Sequence, residues 1–343
     1  MKNTVFAVDL AKSVFQVAIS HHPGRVSQQR RLTRSQLLRF MGKQPPTTVL
    51  MEACGSAHYW GRELGHLGHQ VRLLPAHKVV RYREGNKTDS ADTEALLEAG
   101  RNEKIRAVPV KSIDQQGLTA LHRVRSRWLA TRTARINTVR GILREFGLIM
   151  PVGARKVVPQ VRVWIDDLDA GVPPPIRSIL REVCDEIGEL ERRMRLVETQ
   201  LEALGNQIHT VAQLRTIPGV GLITATALAA FIGDVTRFPS GRHFASYLGL
   251  TPREKSSGSI RRLGRISKRG DTYLRTLLIH GARSVLCHAK RPGNPDSLRR
   301  WALCLEKRRG HNVAAVALAS RLARIVWAVW RRDEEYKEVN RQT

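Results

Sequence analysis

A chain of 343 residues with 42% apolar side chains is long enough to bury two cores, and 58 Lys and Arg against 30 Asp and Glu leave it at +28. That excess calls for a polyanionic partner, nucleic acid first. A membrane role is excluded on three counts: no basic amphipathic anchor, no lipidation motif, and a longest apolar stretch, Asn312 to Trp330, interrupted by Arg321 and Arg324. Without a leader-like start the expected setting is the cytoplasm, at the nucleoid. The four cysteines, Cys54, Cys184, Cys287 and Cys304, form no Cys-x-x-Cys pair and are expected to be small buried apolar residues.

The first elements are strands. Thr4 to Leu10, Ser13 to Ser20 and Val26 to Leu32 form a predicted three-strand meander, followed by a helix at Ser35 to Met41, a buried strand at Thr47 to Met51, a helix at Ala57 to Leu67, a strand at Gln70 to Leu74 and a helix from Thr88 to Leu97. This order is that of an RNase H-like (RuvC-like) α/β fold. From Gln115 to Lys156 the chain is helix-compatible and holds nine basic residues, among them Arg123, Arg125, Arg127, Arg132 and Arg135, against one acid, Glu145. A charge run is usually a solvated face; this one is single-signed and reads as a nucleic-acid backbone surface. Then Ile176, Leu180, Val183, Ile187, Leu190, Met194, Val197, Leu201 and Leu204 alternate spacings of four and three, a coiled-coil seam set off by Pro173 to Pro175 and Gly205 and read as a self-association arm. The organisation expected is 1–156 as an α/β domain with a basic helical extension, 157–206 as the coiled-coil arm, and 207–343 as a mainly α-helical domain.

Four acids stand at three converging points of the first domain. Asp9 ends the first strand, Glu52 ends the fourth, and Asp89 and Asp92, three apart, open a helix on a common face. Singly, each is a turn, a strand end or a helix cap. Together, in a chain poor in acids, they suit a hard divalent ion, Mg2+ or alternatively Mn2+, and phosphoryl transfer.

In the last domain, Ile217-Pro-Gly-Val-Gly before Leu222 resembles a helix-hairpin-helix, in which Gly219 and Gly221 form the tight turn and the following helix start offers amides to a phosphate; an ordinary inter-helix turn explains the same residues. Beyond it, an apolar helix runs into a polar loop carrying Arg253, Lys255, Arg261, Arg262, Arg265, Lys268 and Arg269 around Ser256 and Ser257. Serine among guanidinium groups can attack a phosphodiester, since the cations stabilise charge developing on the phosphoryl oxygens; a loop that only grips phosphate is the simpler alternative.

The combination of Val-Asp-Leu-Ala-Lys at Asp9, Met-Glu-Ala-Cys-Gly at Glu52, Lys-Thr-Asp-Ser-Ala-Asp at Asp89 and Asp92, Ile-Pro-Gly-Val-Gly and Tyr-Leu-Gly-Leu-Thr-Pro-Arg-Glu-Lys-Ser-Ser-Gly resembles, over nearly the whole chain, transposases of the insertion-sequence one-ten family, its eleven-eleven branch in particular. The resemblance implies an Asp-Glu-Asp-Asp site at Asp9, Glu52, Asp89 and Asp92, and a nucleophilic serine at the Ser-Gly step, Ser257. It also implies a homotetramer, a dimer of dimers, working with a noncoding bridge RNA that pairs with donor and target DNA. Two rivals remain: a RuvC-like nuclease or junction resolvase using carboxylates and water without a covalent intermediate, and a non-enzymatic nucleic-acid-binding scaffold.

Overall fold

Val5–Asp9 (β1) buries Phe6 and Val8 on one face of a sheet and Ala7 on the other, as the two-residue period of a strand requires. Val14–Ser20 (β2) and Gln28–Thr33 (β3) continue from it antiparallel, and Thr48–Glu52 (β4) and Gln70–Leu74 (β5) lie parallel on its other side, giving a mixed five-stranded sheet in the order β3-β2-β1-β4-β5. The edge strand β3 exposes Gln28, Gln29, Arg30 and Arg31, charge that keeps an open edge from pairing with another chain.

One face is covered by Arg34–Met41 (α1) and Ala57–His66 (α2), which insert Leu37, Met41, Trp60 and Leu64 against Phe6, Phe15 and Met51. Thr33 and Gln36 close α1 with a reciprocal capping box, Thr33 N–H donating to Gln36 Oε1 at 2.8 Å. On the other face, Ala76–Val79 (α3) and Asp89–Arg101 (α4) pack Val79, Ala95, Leu96 and Ala99 on Ala7, Ala18 and Leu50. The predicted strands and helices all form, β5 with the predicted bounds and the others with ends shifted by at most four residues.

This computed structural model describes residues 4–23, 25–293 and 296–338. Its contacts divide the chain into Met1–Gln116 and Gly117–Thr343, at the first turn of Ile113–Glu145 (α5). The sequence placed its first boundary after Lys156 and set 157–206 apart. In the structure, Ile136, Val139 and Leu143 of α5 share one core with Val157, Val161 and Ile165 of Val157–Asp166 (α6) and with Leu180, Cys184 and Ile187 of Pro174–Gly205 (α7). The basic helix therefore belongs with the second unit.

The α7 seam is correspondingly occupied within the chain. Leu180, Ile187, Leu190, Met194, Val197 and Leu201 are buried, with Val197 and Leu201 meeting Leu118 of α5 and Ala230. A ladder of ion pairs joins the two helices running in opposite directions: Arg125 to Glu198 at 2.7 Å, Arg132 to Glu191 at 2.8 Å and Arg135 to Glu186 at 2.6 Å. The heptad pattern thus marks packing on the chain's own α5 rather than a free arm.

His209–Arg215 (α8), Leu222–Ile232 (α9) and Gly241–Tyr247 (α10) precede an antiparallel hairpin, Pro252–Glu254 (β6) with Leu263–Ile266 (β7), where the sequence suggested only a loop. Thr272–Ala289 (α11), Ser297–Arg309 (α12) and His311–Arg332 (α13) complete the unit. By length and composition α13 could cross a membrane, but Ala315, Leu318, Leu322 and Val326 are buried among Leu278, Ala282 and Val285 of α11. Of the cysteines only Cys184 is buried; Cys54, Cys287 and Cys304 are exposed, against expectation, because Cys54 lies in the loop between β4 and α2 and the other two fall on the outer sides of α11 and α12.

Candidate active site

The register of β1 on β4 brings the first two acids together. Val8 pairs with Met51, so the next residues, Asp9 and Glu52, leave the same end of two adjacent parallel strands. Helix α4 brings the other two. Its cap is Thr88, whose Oγ1 accepts from the Ala91 amide at 3.2 Å, so neither Asp89 nor Asp92 is used to close the helix and the cap reading of both is overturned. The placement of α4 against the sheet is fixed by a polar chain across β2, β3 and α4. Gln16 Nε2 donates to Gln29 Oε1 at 2.9 Å, Gln29 Nε2 to Ser90 Oγ at 2.6 Å, and Ser90 Oγ to Glu94 Oε1 at 3.1 Å.

The four acids sense one another. The Asp9 carboxyl is held above the ordinary aspartate range, first by burial and then by Asp92, Asp89 and Glu52, with Lys87 opposing. The neighbouring Cys54 thiol is also pushed up, by burial and then by Glu52 and Asp9, which makes it a poor nucleophile. Two arginines absorb part of the negative charge: Arg83 Nη1 donates to Asp92 Oδ1 at 3.1 Å in a half-buried pair, and Arg31 stands 3.9 Å from Asp89 at the exposed rim.

An all-oxygen donor set with mutual repulsion is what a hard divalent cation relieves, so these residues fit Mg2+ or Mn2+ in chemistry. In geometry, among the described residues, no three His, Cys, Asp or Glu side chains are gathered closely enough to hold an ion as they stand.

The second predicted constellation is the β6–β7 hairpin. Lys255 N–H donates to the Arg262 carbonyl at 2.9 Å, Ser257 and Ile260 exchange backbone bonds at 3.3 and 3.2 Å, and Gly258 makes the turn with a φ of +57°. The two serines differ. Ser256 Oγ donates to Glu254 Oε1 at 2.8 Å and accepts from the Arg262 amide at 3.2 Å, whereas the Ser257 hydroxyl has no hydrogen-bond partner among the described residues. Lys255 and Arg262 are exposed near the tip beside it, and Arg265, Lys268 and Arg269 are exposed farther down the hairpin, the last two at its base; Arg253 is turned to the Ser267 carbonyl at 3.1 Å and Arg261 to Glu254 at 3.2 Å.

Sequence reasoning missed what holds the hairpin. Gly249 and Gly270, with φ of +70° and +85°, cross at its base so closely that a Cβ on Gly270 would lie 1.8 Å from the Tyr247 carbonyl oxygen. Arg275, buried in α11, ties both sides of that crossing. The signal available was a lone arginine at an apolar-face position of α11.

The remaining predicted contacts divide. Arg123 and Arg127 are exposed on α5, while Arg125, Arg132 and Arg135 serve the ladder to α7; their acids lay more than fifty residues away in sequence, which is why the run looked single-signed. Gly219 is committed to packing, since a Cβ there would meet the Gly281 carbonyl oxygen of α11 at 2.7 Å; Gly221, the α9 cap residue, has open space. Beneath this turn His122 is fully buried between Tyr273, 3.0 Å from Nδ1, and Thr226, 3.1 Å from Nε2. Thr226 spends its proton on the Leu222 carbonyl, so Nε2 carries the imidazole proton and Nδ1 accepts from Tyr273. Burial first and Arg125 second lower the His122 pKa to about 4.

Comparison with known proteins matches both halves. A transposase model of the DEDD type found in IS110 elements covers residues 6–147, and the model described as Transposase IS116/IS110/IS902 family covers residues 211–296. The chain is 46% identical to a probable family 20 transposase of Pseudomonas aeruginosa, over 96% of this chain and 97% of that protein. It is 36% identical to the transposase for insertion sequence element IS1111A of Coxiella burnetii, over 97% and 91%. More distantly, it is 25% identical to a pilin gene-inverting protein of Moraxella bovis, over 98% of both. Fold, acids and matches define a DNA transposase, an enzyme of DNA recombination. The chain belongs to the IS116/IS110/IS902 transposase family.

Proposed function

We propose that this transposase cuts and rejoins DNA strands of an insertion sequence through a covalent phosphoserine on Ser257, as a homotetramer guided to donor and target DNA by a noncoding bridge RNA. The observation that carries the reading is the contrast between the two hairpin serines: Ser256 is engaged by Glu254 and the Arg262 amide, and Ser257, beside it, presents an unengaged hydroxyl among exposed cations.

In the first step Ser257 Oγ attacks phosphorus, a bridging P–O bond breaks, the serine proton is given up, and the released strand oxygen takes one up. In the second, a strand-end hydroxyl attacks the phosphoserine, the Oγ–P bond breaks and the serine is regenerated, so bond energy is conserved without an external cofactor of energy. Lys255, Arg262 and Arg265 offset charge on the phosphoryl oxygens. Asp9, Glu52, Asp89 and Asp92 would hold Mg2+, or Mn2+, which supplies Lewis-acid stabilisation of the reacting phosphate. Arg83 keeps Asp92 neutralised beforehand, and Gln16, Gln29 and Ser90 hold α4 in register.

The sheet order, two antiparallel steps followed by two parallel ones, supports an RNase H-like reading of the first unit, and the Ile217–Gly221 turn between α8 and α9 supports a helix-hairpin-helix reading, with Gly221 as its phosphate-facing residue. The charge of +28, with Arg123 and Arg127 exposed on α5, supports a protein holding RNA and two duplexes together.

The test is recombination between donor and target plasmids with cognate RNA and Mg2+, with protein–DNA adducts trapped on a denaturing gel. Wild type is expected to give an adduct that Ser257→Ala abolishes and Ser256→Ala retains. Recombination by Ser257→Ala, or an adduct lost only in Ser256→Ala, overturns the assignment.

A further inference from the structure

Arg321 and Arg324 line a groove between α12 and α13, and Arg242 of α10 lies within electrostatic reach of Arg324. Arg321 and Arg324 are three apart on α13, so they share a face beside the buried Leu318–Leu322–Val326 stripe. Arg242 comes from α10, brought there by its neighbour. A Cβ on Gly241 would lie 3.1 Å from the Arg324 Cα, and without one α10 lies directly on α13. Trp301 of α12 supplies an apolar wall, with the Arg321 Cζ 4.8 Å from its ring centroid, and Ile325 and Ala328 continue that wall along a groove of about 450 Å³.

Three like charges in one partly desolvated place repel each other, and the Arg324 guanidinium is pushed below its usual pKa by burial, then by Arg321 and Arg242. None of the three makes a salt bridge among the described residues, Asp296 and Glu338 reaching only the Tyr336 that Arg321 also faces, and their one hydrogen bond there is Arg324 Nε to the Ser320 carbonyl at 3.4 Å. The core does not require this arrangement, since the buried residues of α13 are the aliphatic ones between the arginines. The missing partner is therefore an anion, and the indole and aliphatic wall beside the cations suits one that carries a ring or sugar next to its phosphate.

We propose that this groove binds a phosphodiester of a nucleic-acid strand, with Arg242, Arg321 and Arg324 gripping the phosphate while Trp301 and Ile325 receive the adjoining nucleoside. It is a site apart from the serine hairpin and the α5 arginines, and it stands whether or not Ser257 is the nucleophile. Contact to a phosphate positions a strand without reading its sequence.

The experiment is titration of the full-length protein with a single-stranded DNA of about 20 nucleotides, its duplex and the same sequence as RNA, at several NaCl concentrations. The variants are Arg242→Gln/Arg321→Gln/Arg324→Gln and a charge-matched control, Arg39→Gln/Arg81→Gln/Arg195→Gln, built from exposed arginines elsewhere. Each lost phosphate contact lowers the slope of log K against log salt by about 0.7 for a single strand and about 0.9 for a duplex, so the groove variant, which loses its grip on one phosphate, is expected to fall below the control by about that amount on at least one strand type. The arm that falls identifies whether the groove holds single-stranded DNA, duplex or RNA. A groove variant indistinguishable from the control on all three overturns the proposal. Thermal melts show that each variant is folded; should the triple variant fail to fold, Arg242→Glu, on an exposed residue, must lower affinity about tenfold (a single reversed contact of about 1.4 kcal/mol) or the proposal fails.

Discussion

The guanidinium of Arg275 donates to the carbonyl oxygen of Leu248 at 3.1 Å, and its reach extends to the Arg269 carbonyl at 3.3 Å and Thr272 Oγ1 at 3.0 Å. One buried cation thus ties together the chain entering the hairpin and the chain leaving it, through backbone oxygens and a hydroxyl and without a carboxylate. Arg275→Met leaves those oxygens unpaired, at about 1–3 kcal/mol for each that stays dry. Amide exchange over residues 252–266 is expected to accelerate far more than exchange in α11 and α13, and strand transfer to fall. Arg275→Lys, which keeps a donor, is expected to restore part of both. Uniform acceleration throughout the second unit would show Arg275 to be an ordinary core residue.

Asp9 sits against three other carboxylates. Asp9→Asn removes one member of a repelling set, so the metal-free variant is expected to melt at or above the wild-type temperature while recombination falls at least a hundredfold, the loss of about 2.7 kcal/mol of barrier lowering. DNA binding is expected to persist. A variant that still recombines at the wild-type rate would remove Asp9 from the catalytic machinery.

The buried His122 gives stability a pH dependence of defined sign. Its folded pKa of about 4 lies below the ordinary histidine value of 6.5, so between these the unfolded chain binds the proton and the folded one does not. The contribution is full above pH 6.5 and is lost as pH falls toward about 4, on the order of 3 kcal/mol in all. Urea unfolding of wild type and His122→Gln across this range checks it: the wild type is expected to lose more stability than the variant, and parallel curves would refute the assignment.

The arginines of α5 are expected to separate into two kinds. Arg125→Gln, Arg132→Gln and Arg135→Gln break the ladder to Glu198, Glu191 and Glu186 and are expected to lower the melting temperature. Arg123→Gln and Arg127→Gln are expected to leave it unchanged and to weaken nucleic-acid binding, with a smaller salt slope. Equal effects of both sets on binding would return the ladder residues to the nucleic-acid surface.

The sheet and the four acids were legible because strands and their ends are local: alternation names β1 and β4, and an acid after an apolar run marks an end. The α7 seam was legible as periodicity but not as to its partner, since 3.6-residue spacing says which face is buried and nothing about against what; α5 is the occupant, and Glu186, Glu191 and Glu198 could be matched to their arginines only in three dimensions. The hairpin escaped for a different reason. Its strands are three and four residues long and largely exposed, and what defines them is the crossing of Gly249 and Gly270 under Arg275, contacts set by residues far from the tip. Ser256 and Ser257 differ in sequence only by the Gly258 that follows the second, and in the structure they are told apart by the bonds of Ser256 to Glu254 and from the Arg262 amide.

The hairpin's narrow base has an evolutionary corollary. Residues 255–262 touch no part of the buried core, so folding exerts little selection on their identity, while Gly249, Gly270 and Arg275 admit almost no exchange. Drift among relatives should therefore be free at the tip except where chemistry forbids it, and a side chain held constant there by descent is constant for what it does to a substrate, not for what it does to the fold.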